Sequence, residues 1–307
     1  MRIVVFGAGG VGGYFGGRLA ASGADVTFVA RGAQLDAMRQ RGLRIESPLG
    51  SAQLPRVNVT DDPATIGPAD VVLFTVKLYQ TDAAVQLLPP LIGPKTLVLS
   101  VQTGVDAAAV LTRVVGREHV AGGTVYVSAV VSEPGVVRHT AMNRMIFGPL
   151  DGKPSPLLED LLRACQHAGI DTTLSENVVM DIWAKFARLT VFSGMTAVTR
   201  CPIGPLRDDL ALAEMMRGAL RESITVAHAS GIHLSDAIVD EVQVATAALP
   251  PNAKSSMLED LERGRPLELP WLSGAVVRIG QERGVDTPIH RFITTVLTPH
   301  VHGHQQR

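Results

Sequence analysis

Short apolar runs alternate with helical segments over the first half of the chain. Four of these runs show no regular polar alternation: Ile3–Phe6, Val26–Ala30, Asp70–Val76 and Thr96–Val101. Apolar runs of this length are typical of strands that are buried on both faces of a parallel sheet. The pattern therefore predicts an α/β domain in the N-terminal half.

Farther along the chain the pattern predicts more strands and then a change of architecture. The further predicted elements are strands at Val120–Val131, Gly135–His139, Arg144–Phe147 and Ile170–Thr173, with a helix at Leu157–His167. From Asn177 onward the pattern is that of long helices, broken only near Pro and Gly positions. We therefore expect two domains, an α/β domain over residues 1–176 and an all-α domain over residues 177–307.

A glycine-rich turn connects the first predicted strand to the first predicted helix. Its sequence is GAGGVG, formed by Gly7, Ala8, Gly9, Gly10, Val11 and Gly12. In a dinucleotide-binding βαβ unit the first glycine permits the tight turn, the second lets the backbone approach the pyrophosphate, and the third allows close helix packing. Unpaired N–H groups at the helix N-terminus then bind the phosphates. The motif and its flanks predict a Rossmann-type domain in which these six residues bind the cofactor.

The residue after the second strand indicates which dinucleotide is bound. Folds that select NAD usually place Asp or Glu there, to bind the ribose 2′-hydroxyl, whereas this chain has Arg31. A guanidinium pairs well with a phosphate group, because it presents several donors in a fixed plane. We therefore expect NADPH as the cofactor.

Composition narrows the class of partner. Charged residues make up 19% of the 307 residues and the formal net charge is −1, which gives no support for binding nucleic acid or an anionic membrane. No apolar stretch reaches membrane-spanning length, and the N-terminus lacks a signal-peptide pattern. The two cysteines, Cys165 and Cys201, are too few for a disulfide framework. We expect a cytoplasmic protein with a small-molecule substrate.

Other catalytic motifs are missing from the sequence. The nine histidines form no HExxH motif, neither cysteine belongs to a CxxC pair, and there is no GxSxG turn. His300, His302 and His304 belong to a polar C-terminal tail, which we expect to fray rather than to bind a metal. The sequence thus predicts neither a metal site nor hydrolase chemistry.

Several further motifs resemble those of one enzyme family. They are TVKLYQT with Lys77, the QTGV turn with Thr103, PGVVRHT, IWAKFARL with Lys185, CPIGPLR, SSMLEDLERGRPLEL with Ser256 and Glu268, and GVDTP. Together with GAGGVGG and Arg31, they make the chain similar to the ketopantoate reductases (2-dehydropantoate 2-reductases). The resemblance extends from the first strand to about Pro288.

The resemblance implies roles for residues on the substrate side. Lys185 would be the catalytic acid, which donates a hydrogen bond to the 2-oxo oxygen and then supplies the proton. Glu268 would bind a substrate hydroxyl and act as the partner of Lys185. Ser256 would help to hold the substrate carboxylate, and Ser193 stands at a further substrate-facing position.

On the cofactor side the resemblance implies three further contacts. Arg31 would bind the 2′-phosphate and Lys77 the adenosine ribose region. Thr103 stands in a turn that contributes to both the cofactor site and the substrate site.

The chain departs from the family at positions that normally face the substrate. Thr103 replaces an asparagine of an N-G turn, and Leu189 and Ser193 replace two more asparagines. After Glu268, the residues Leu269–Ser273 replace the family's I-D-Y-x-N. A site built around polar groups discriminates strongly through them. The departures therefore favour a substrate other than ketopantoate, with a less polar side chain.

Two classes of function stay open on the sequence. The first is an NADPH-dependent reductase of a small 2-oxo acid, or an enzyme that reduces a less polar ketone or oxidises a hydroxy acid. The second is a regulatory protein that senses NADP(H) without turnover, since a fold alone does not establish chemistry. Lys185 and Glu268 favour the enzyme, because a sensor needs neither. A homodimer is a further expectation.

Overall fold

A computed structural model describes residues 1–153, 155–235 and 237–303. The chain forms two compact units, one of residues 1–102 and 106–181, the other of residues 103–105 and 182–307. The domain boundary that the sequence places between residues 176 and 177 stays a prediction. The predicted fraying of the tail concerns in part residues 304–307, which lie outside the described residues.

The first unit contains a twisted mixed sheet. Its strands are β1 (Arg2–Phe6), β2 (Asp25–Val29), β3 (Leu43–Glu46), β4 (Ala52–Leu54), β5 (Asn58–Thr60), β6 (Val71–Phe74), β7 (Leu97–Ser100), β8 (Val120–Glu133), β9 (Val136–Pro149) and β10 (Asp171–Leu174). Within the described residues the order is β4-β3-β9-β8-β7-β6-β1-β2-β5, with β10 beside β9. Only the β3–β4 and β8–β9 pairs of this described sheet are antiparallel.

The strand order reverses at β1, which is where parallel sheets usually bind their ligands. Strand β1 pairs in parallel with β2 on one side and with β6 on the other. The register places Phe6 beside both Val29 and Phe74, the last residues of the two neighbouring strands. The loops that follow these three strands therefore start from the same edge of the sheet.

Helices cover both faces of this sheet. The helices of the first unit are α1 (Gly10–Ala21), α2 (Gly32–Arg41), α3 (Thr81–Val85), α4 (Ala107–Val115) and α5 (Pro156–His167). Alternate residues of β1 serve two cores: Ile3 and Val5 pack in the cluster that contains α1, α2 and α5, whereas Val4 and Phe6 pack in the cluster of α3 and α4. Burial on both faces explains why these strands read as uninterrupted apolar runs.

The structure corrects the sequence prediction for the long hairpin. The sequence predicts separate strands at Gly135–His139 and Arg144–Phe147, but the structure has one strand, β9. Residues 140–143, which lie between them, continue the strand beside β8 through an irregular register near Ser128, and Met142 there has a φ of 59°. A bulge absorbs extra residues without ending a strand, and this largely exposed segment has no regular apolar pattern that would predict a strand.

The second unit is helical. Its helices are α6 (Val178–Thr199, whose first residues belong to the first unit), α7 (Ile203–Asp208), α8 (Leu210–Ala229), α9 (Ile238–Ala247), α10 (Ser256–Glu262), α11 (Ser273–Arg283) and α12 (Pro288–Leu297). No helix among the described residues is both long enough and apolar enough to cross a membrane. The predicted fold, a Rossmann-type α/β domain followed by an all-α domain, is confirmed.

A buried histidine joins α8 to α12. His290 Nε2 lies 2.9 Å from the carbonyl oxygen of Ala219 and 2.9 Å from Ser223 Oγ. The carboxylate of Glu222 accepts hydrogen bonds from the backbone N–H groups of Ile289 and His290 at the start of α12. Burial lowers the pKa of His290 from 6.5 to about 4, because the charged imidazolium would lose its hydration.

The neutral His290 makes the stability of the protein depend on pH. Between about pH 6.5 and pH 4 the unfolded chain binds a proton at this site and the folded chain does not, so stability falls as the pH falls. We expect a loss of about 2 kcal/mol from pH 7 to pH 5 from this group alone. Urea unfolding at several pH values measures it. His290→Gln should flatten the dependence, whereas the exposed control His167→Gln should not. Equal slopes for all three proteins would contradict the assignment.

Candidate active site

The glycine turn leaves no room for a side chain where α1 packs against the sheet. A Cβ on Gly12 would lie 2.1 Å from the carbonyl oxygen of Gly7 and 2.4 Å from Thr75 Oγ1. Gly7 has a φ of 109°, which favours glycine, and its N–H donates to the carbonyl of Val29 at the end of β2. Gly7 and Gly12 are therefore required by the fold itself.

Gly9 and Gly10, the two middle glycines of the turn, differ in the space around them. A Cβ on Gly10 would lie 2.1 Å from the carbonyl oxygen of Ala129 in β8, so protein packing alone explains this glycine. A Cβ on Gly9 would meet no other atom within 4 Å. Gly9 precedes the first turn of α1, whose N–H groups have no partner within the helix. The space beside Gly9 fits a phosphate group that approaches the backbone closely.

The two predicted cofactor cations follow the strands on either side of β1. Arg31 comes two residues after β2 and is the N-cap residue of α2. Lys77 comes three residues after β6 and precedes a short 3-10 turn at Leu78–Gln80. Both side chains are exposed, as binding to a soluble cofactor requires. The described structure thus brings the glycine turn, Arg31 and Lys77 to one edge of the sheet.

The structure adds Gln102, a buried residue that connects two loops and that the sequence does not single out. The side chain is 8% exposed, and its Nε2 donates to the carbonyl of Val76 and to Thr81 Oγ1, both at 2.8 Å. These bonds tie the turn after β7 to the loop that carries Lys77. The QTGV motif was the available signal, but no local pattern reveals a partner 26 residues away. Thr103, the next residue, is half-buried, and its binding role stays a prediction.

Lys185 is a buried cation on α6. The side chain is 8% exposed, and burial lowers its pKa from 10.5 to about 8. The carboxylate of Glu268, which stands just before a 3-10 turn at Leu269–Trp271, acts in the opposite direction and raises the pKa. The structure therefore brings together the two residues that the sequence predicts as a catalytic pair.

A stripe of α6 extends from Lys185 toward the start of α10. Leu189, Ser193 and Thr196 follow Lys185 at helical spacing, and Thr196 Oγ1 lies 2.7 Å from Ser255 Oγ. Ser255 caps α10 by accepting the N–H of Leu258 at 3.1 Å. The next residue is the predicted substrate ligand Ser256, whose side chain is exposed.

Comparison with known proteins identifies the family. The model for the ketopantoate reductase PanE/ApbA matches residues 3–152, and the model for the C-terminal part of the same enzymes matches residues 177–300. The chain belongs to the ketopantoate reductase family. It is therefore an oxidoreductase, and the resemblance seen in the sequence is confirmed.

Individual relatives match over nearly their whole length. The 2-dehydropantoate 2-reductase of Halobacterium salinarum is 30% identical, over 97% of this chain and 98% of its own. A crystal structure of a PanE/ApbA family ketopantoate reductase from Ralstonia eutropha JMP134 is 31% identical, with a TM-score of 0.90 and 98% of both chains covered. The 2-dehydropantoate 2-reductase from Geobacter metallireducens GS-15 is 29% identical, with a TM-score of 0.91, over 97% of this chain and 99% of that one.

Three residues that depart from the ketopantoate reductase pattern lie on helices of the second unit. Leu189 is half-buried one helical turn after Lys185. Ser193 is 1% exposed and Ser273 is 0% exposed, and neither hydroxyl has a hydrogen-bond partner among the described residues. A Cβ on Gly194 would lie 3.0 Å from Ser273 Oγ, so Ser273 packs against α6 beside Ser193. In the sequence, Ser273 is recognisable only as a departure from the family pattern.

The Lys185–Glu268 pair predicts a measurable coupling. Glu268→Gln removes the negative charge that raises the pKa of Lys185, so that pKa should fall below about 8. Nuclear magnetic resonance of the lysine side chain reports this pKa directly. If Lys185 is the proton donor, activity should also begin to fall at a lower pH in the variant, because fewer molecules then carry the proton. Glu262→Gln, which changes a glutamate paired with Lys254, is the control. A Lys185 pKa unchanged by Glu268→Gln would contradict the coupling.

Proposed function

We propose that this chain is an NADPH-dependent reductase of a small 2-oxo acid, or of a related carbonyl compound, with Lys185 as the catalytic acid. The observation that carries the proposal is the buried lysine with a pKa of about 8 next to Glu268. A general acid works best when its pKa lies near the working pH, because it is then mostly protonated and still gives up its proton readily.

The first unit has the residues that would hold NADPH. The open space beside Gly9 and the N-terminus of α1 fit the pyrophosphate. Arg31 would bind the 2′-phosphate, and Lys77 would bind near the adenosine ribose. The bound cofactor supplies the hydride.

Lys185 would stabilise the negative charge that develops on the substrate carbonyl, and Glu268 would act on Lys185. The ammonium of Lys185 donates a hydrogen bond to the 2-oxo oxygen and stabilises the negative charge that develops there. It then transfers its proton to that oxygen, which leaves a hydroxyl group on the product. Glu268 helps to keep Lys185 protonated before the reaction. Lysine suits this role better than arginine, whose pKa is too high to release a proton.

The residues along α6 and at the start of α11 favour a substrate with a less polar side chain than ketopantoate. Leu189 is apolar, and only short hydroxyls stand at Ser193 and Ser273. The buried hydroxyl of Ser193 can bind a polar group of a substrate, which would satisfy it. Ser256 would contribute to binding the carboxylate. Thr103 would contact both substrate and cofactor.

The two cysteines bear on the cellular location of the protein. Cys165 and Cys201 are both free, which agrees with a reducing compartment, so we place the protein in the cytoplasm. The expected homodimer stays a prediction.

Replacing Lys185 tests the chemistry. Lys185→Ala removes both the proton donor and the cation, so kcat should fall by roughly 10²–10⁴-fold while NADPH affinity stays nearly unchanged. Lys185→Arg should rescue little, because it keeps the charge but not the accessible pKa. The assay follows NADPH absorbance with the best substrate from a panel of 2-oxo acids that includes ketopantoate. Full kcat in Lys185→Ala would rule out the mechanism, and a panel without any substrate would rule out the 2-oxo acid class.

Replacing Arg31 tests the choice of cofactor. Arg31→Ala removes a charge-assisted contact to the 2′-phosphate, so the Kd for NADPH should rise roughly tenfold to a hundredfold. The Kd for NADH should change much less. Arg39→Ala, a control on the same helix, removes only a surface ion pair with Asp61 and should leave both values nearly unchanged. Equal affinity of the unmodified protein for NADPH and NADH would refute the role of Arg31.

A further inference from the structure

One side chain connects the glycine turn to two other elements of the first unit. Gln34 lies in the first turn of α2, three residues after Arg31. Its Nε2 donates to the carbonyl oxygen of Ala8 at 3.0 Å. Its Oε1 accepts the backbone N–H of Gly135, in the turn between β8 and β9, at 2.9 Å. The amide nitrogen of Gln34 therefore donates a hydrogen bond and its amide oxygen accepts one, as their chemistry requires.

The bond to Ala8 constrains the peptide that faces the cofactor. The carbonyl of Ala8 and the N–H of Gly9 belong to the same planar peptide, and the structure has no cis peptide among its described residues. In a trans peptide these two groups point in opposite directions. Fixing the Ala8 carbonyl on Gln34 consequently directs the Gly9 N–H away from α2.

The bond to Gly135 fixes the other end of the amide. Gly135 is buried, has a φ of 85°, and its own carbonyl accepts the N–H of Arg44 at 2.9 Å. A Cβ on Gly135 would lie 3.2 Å from the Cβ of Ala37 in α2, so the hairpin turn packs closely on the helix. Gly135 thus fixes the amide oxygen of Gln34, and the amide nitrogen of Gln34 in turn fixes the glycine turn.

We propose that Gln34 is a positioning residue for NADPH, which sets the direction of the Gly9 N–H and fixes it relative to Arg31. This role rests on the proposed function, because it assumes that the turn binds the pyrophosphate. Glutamine at the third helical position often reaches back to cap its own helix. Here the amide instead joins the helix that carries Arg31 to the turn that carries Gly9.

Paired substitutions separate the two hydrogen bonds. Gln34→Met keeps the size of the side chain but removes both bonds. Gln34→Glu keeps an acceptor for Gly135 and loses the donor to Ala8. Gln40→Met and Gln40→Glu make the same changes at an exposed position of α2 and serve as controls. The measurements are the Kd for NADPH, the kcat at saturating NADPH, the thermal midpoint, and hydrogen exchange of the Gly9 amide in the cofactor-free protein.

Both Gln34 variants should raise the Kd for NADPH roughly tenfold, since a buried carbonyl loses its partner and the turn loses its fixed direction. Hydrogen exchange at Gly9 should accelerate, and kcat at saturating NADPH should change little. An unchanged Kd with a lowered thermal midpoint would overturn the proposal, because Gln34 would then only brace the fold. A Gln34→Glu protein that binds like the unmodified one would also overturn it, since the Ala8 bond would be irrelevant.

The unmodified protein tests the proposed function separately. If it does not bind NADPH, the proposed function and this role of Gln34 are both wrong. If it binds NADPH and Gln34→Met binds equally well, only the role of Gln34 is wrong.

Discussion

The close approach of α1 to the end of β1 is the constraint on which the first unit depends. At Gly12 the helix backbone leaves no space for even a methyl group, because the Gly7 carbonyl and the Thr75 hydroxyl occupy that position. Thr75 Oγ1 donates to this same carbonyl at 2.7 Å, so the loop after β6 closes the contact. This packing sets the N-terminus of α1 at the edge where β1, β2 and β6 end. The residues predicted to bind the cofactor take their positions from it.

The burial of a cation is the corresponding constraint in the second unit. A lysine that is removed from water gains reactivity at the expense of stability, since burial disfavours its charged form. Glu268 offsets part of that cost and keeps the pKa at about 8 rather than lower. Lys185 lies on the long helix α6, and its chain neighbours Phe186 and Ala187 are buried as well. A buried donor beside a carboxylate is what the proposed catalysis at a carbonyl requires.

The sequence predicted the architecture well and the detailed contacts poorly. Buried parallel strands, the glycine turn and the change to helices all leave local patterns, and the structure confirms them. The sequence does not predict the continuity of β9, because the exposed residues near its bulge follow no regular apolar pattern. Gly10 belongs to the predicted phosphate-binding motif, but the sequence does not reveal that it also packs against Ala129 in a distant strand.

The sequence by itself determined the fold class and the family and predicted which residues bind and react, because these depend on residue types at short, regular spacings. Only the tertiary structure decided which residues hold them in place. Gln34 meets Gly135 across 101 positions of the chain, and Gln102 meets Val76 across 26. Such contacts depend on how separate elements cross and on the register of the sheet. The periodicity of apolar residues indicates which face of one element is buried. It does not indicate which residue of another element contacts that face.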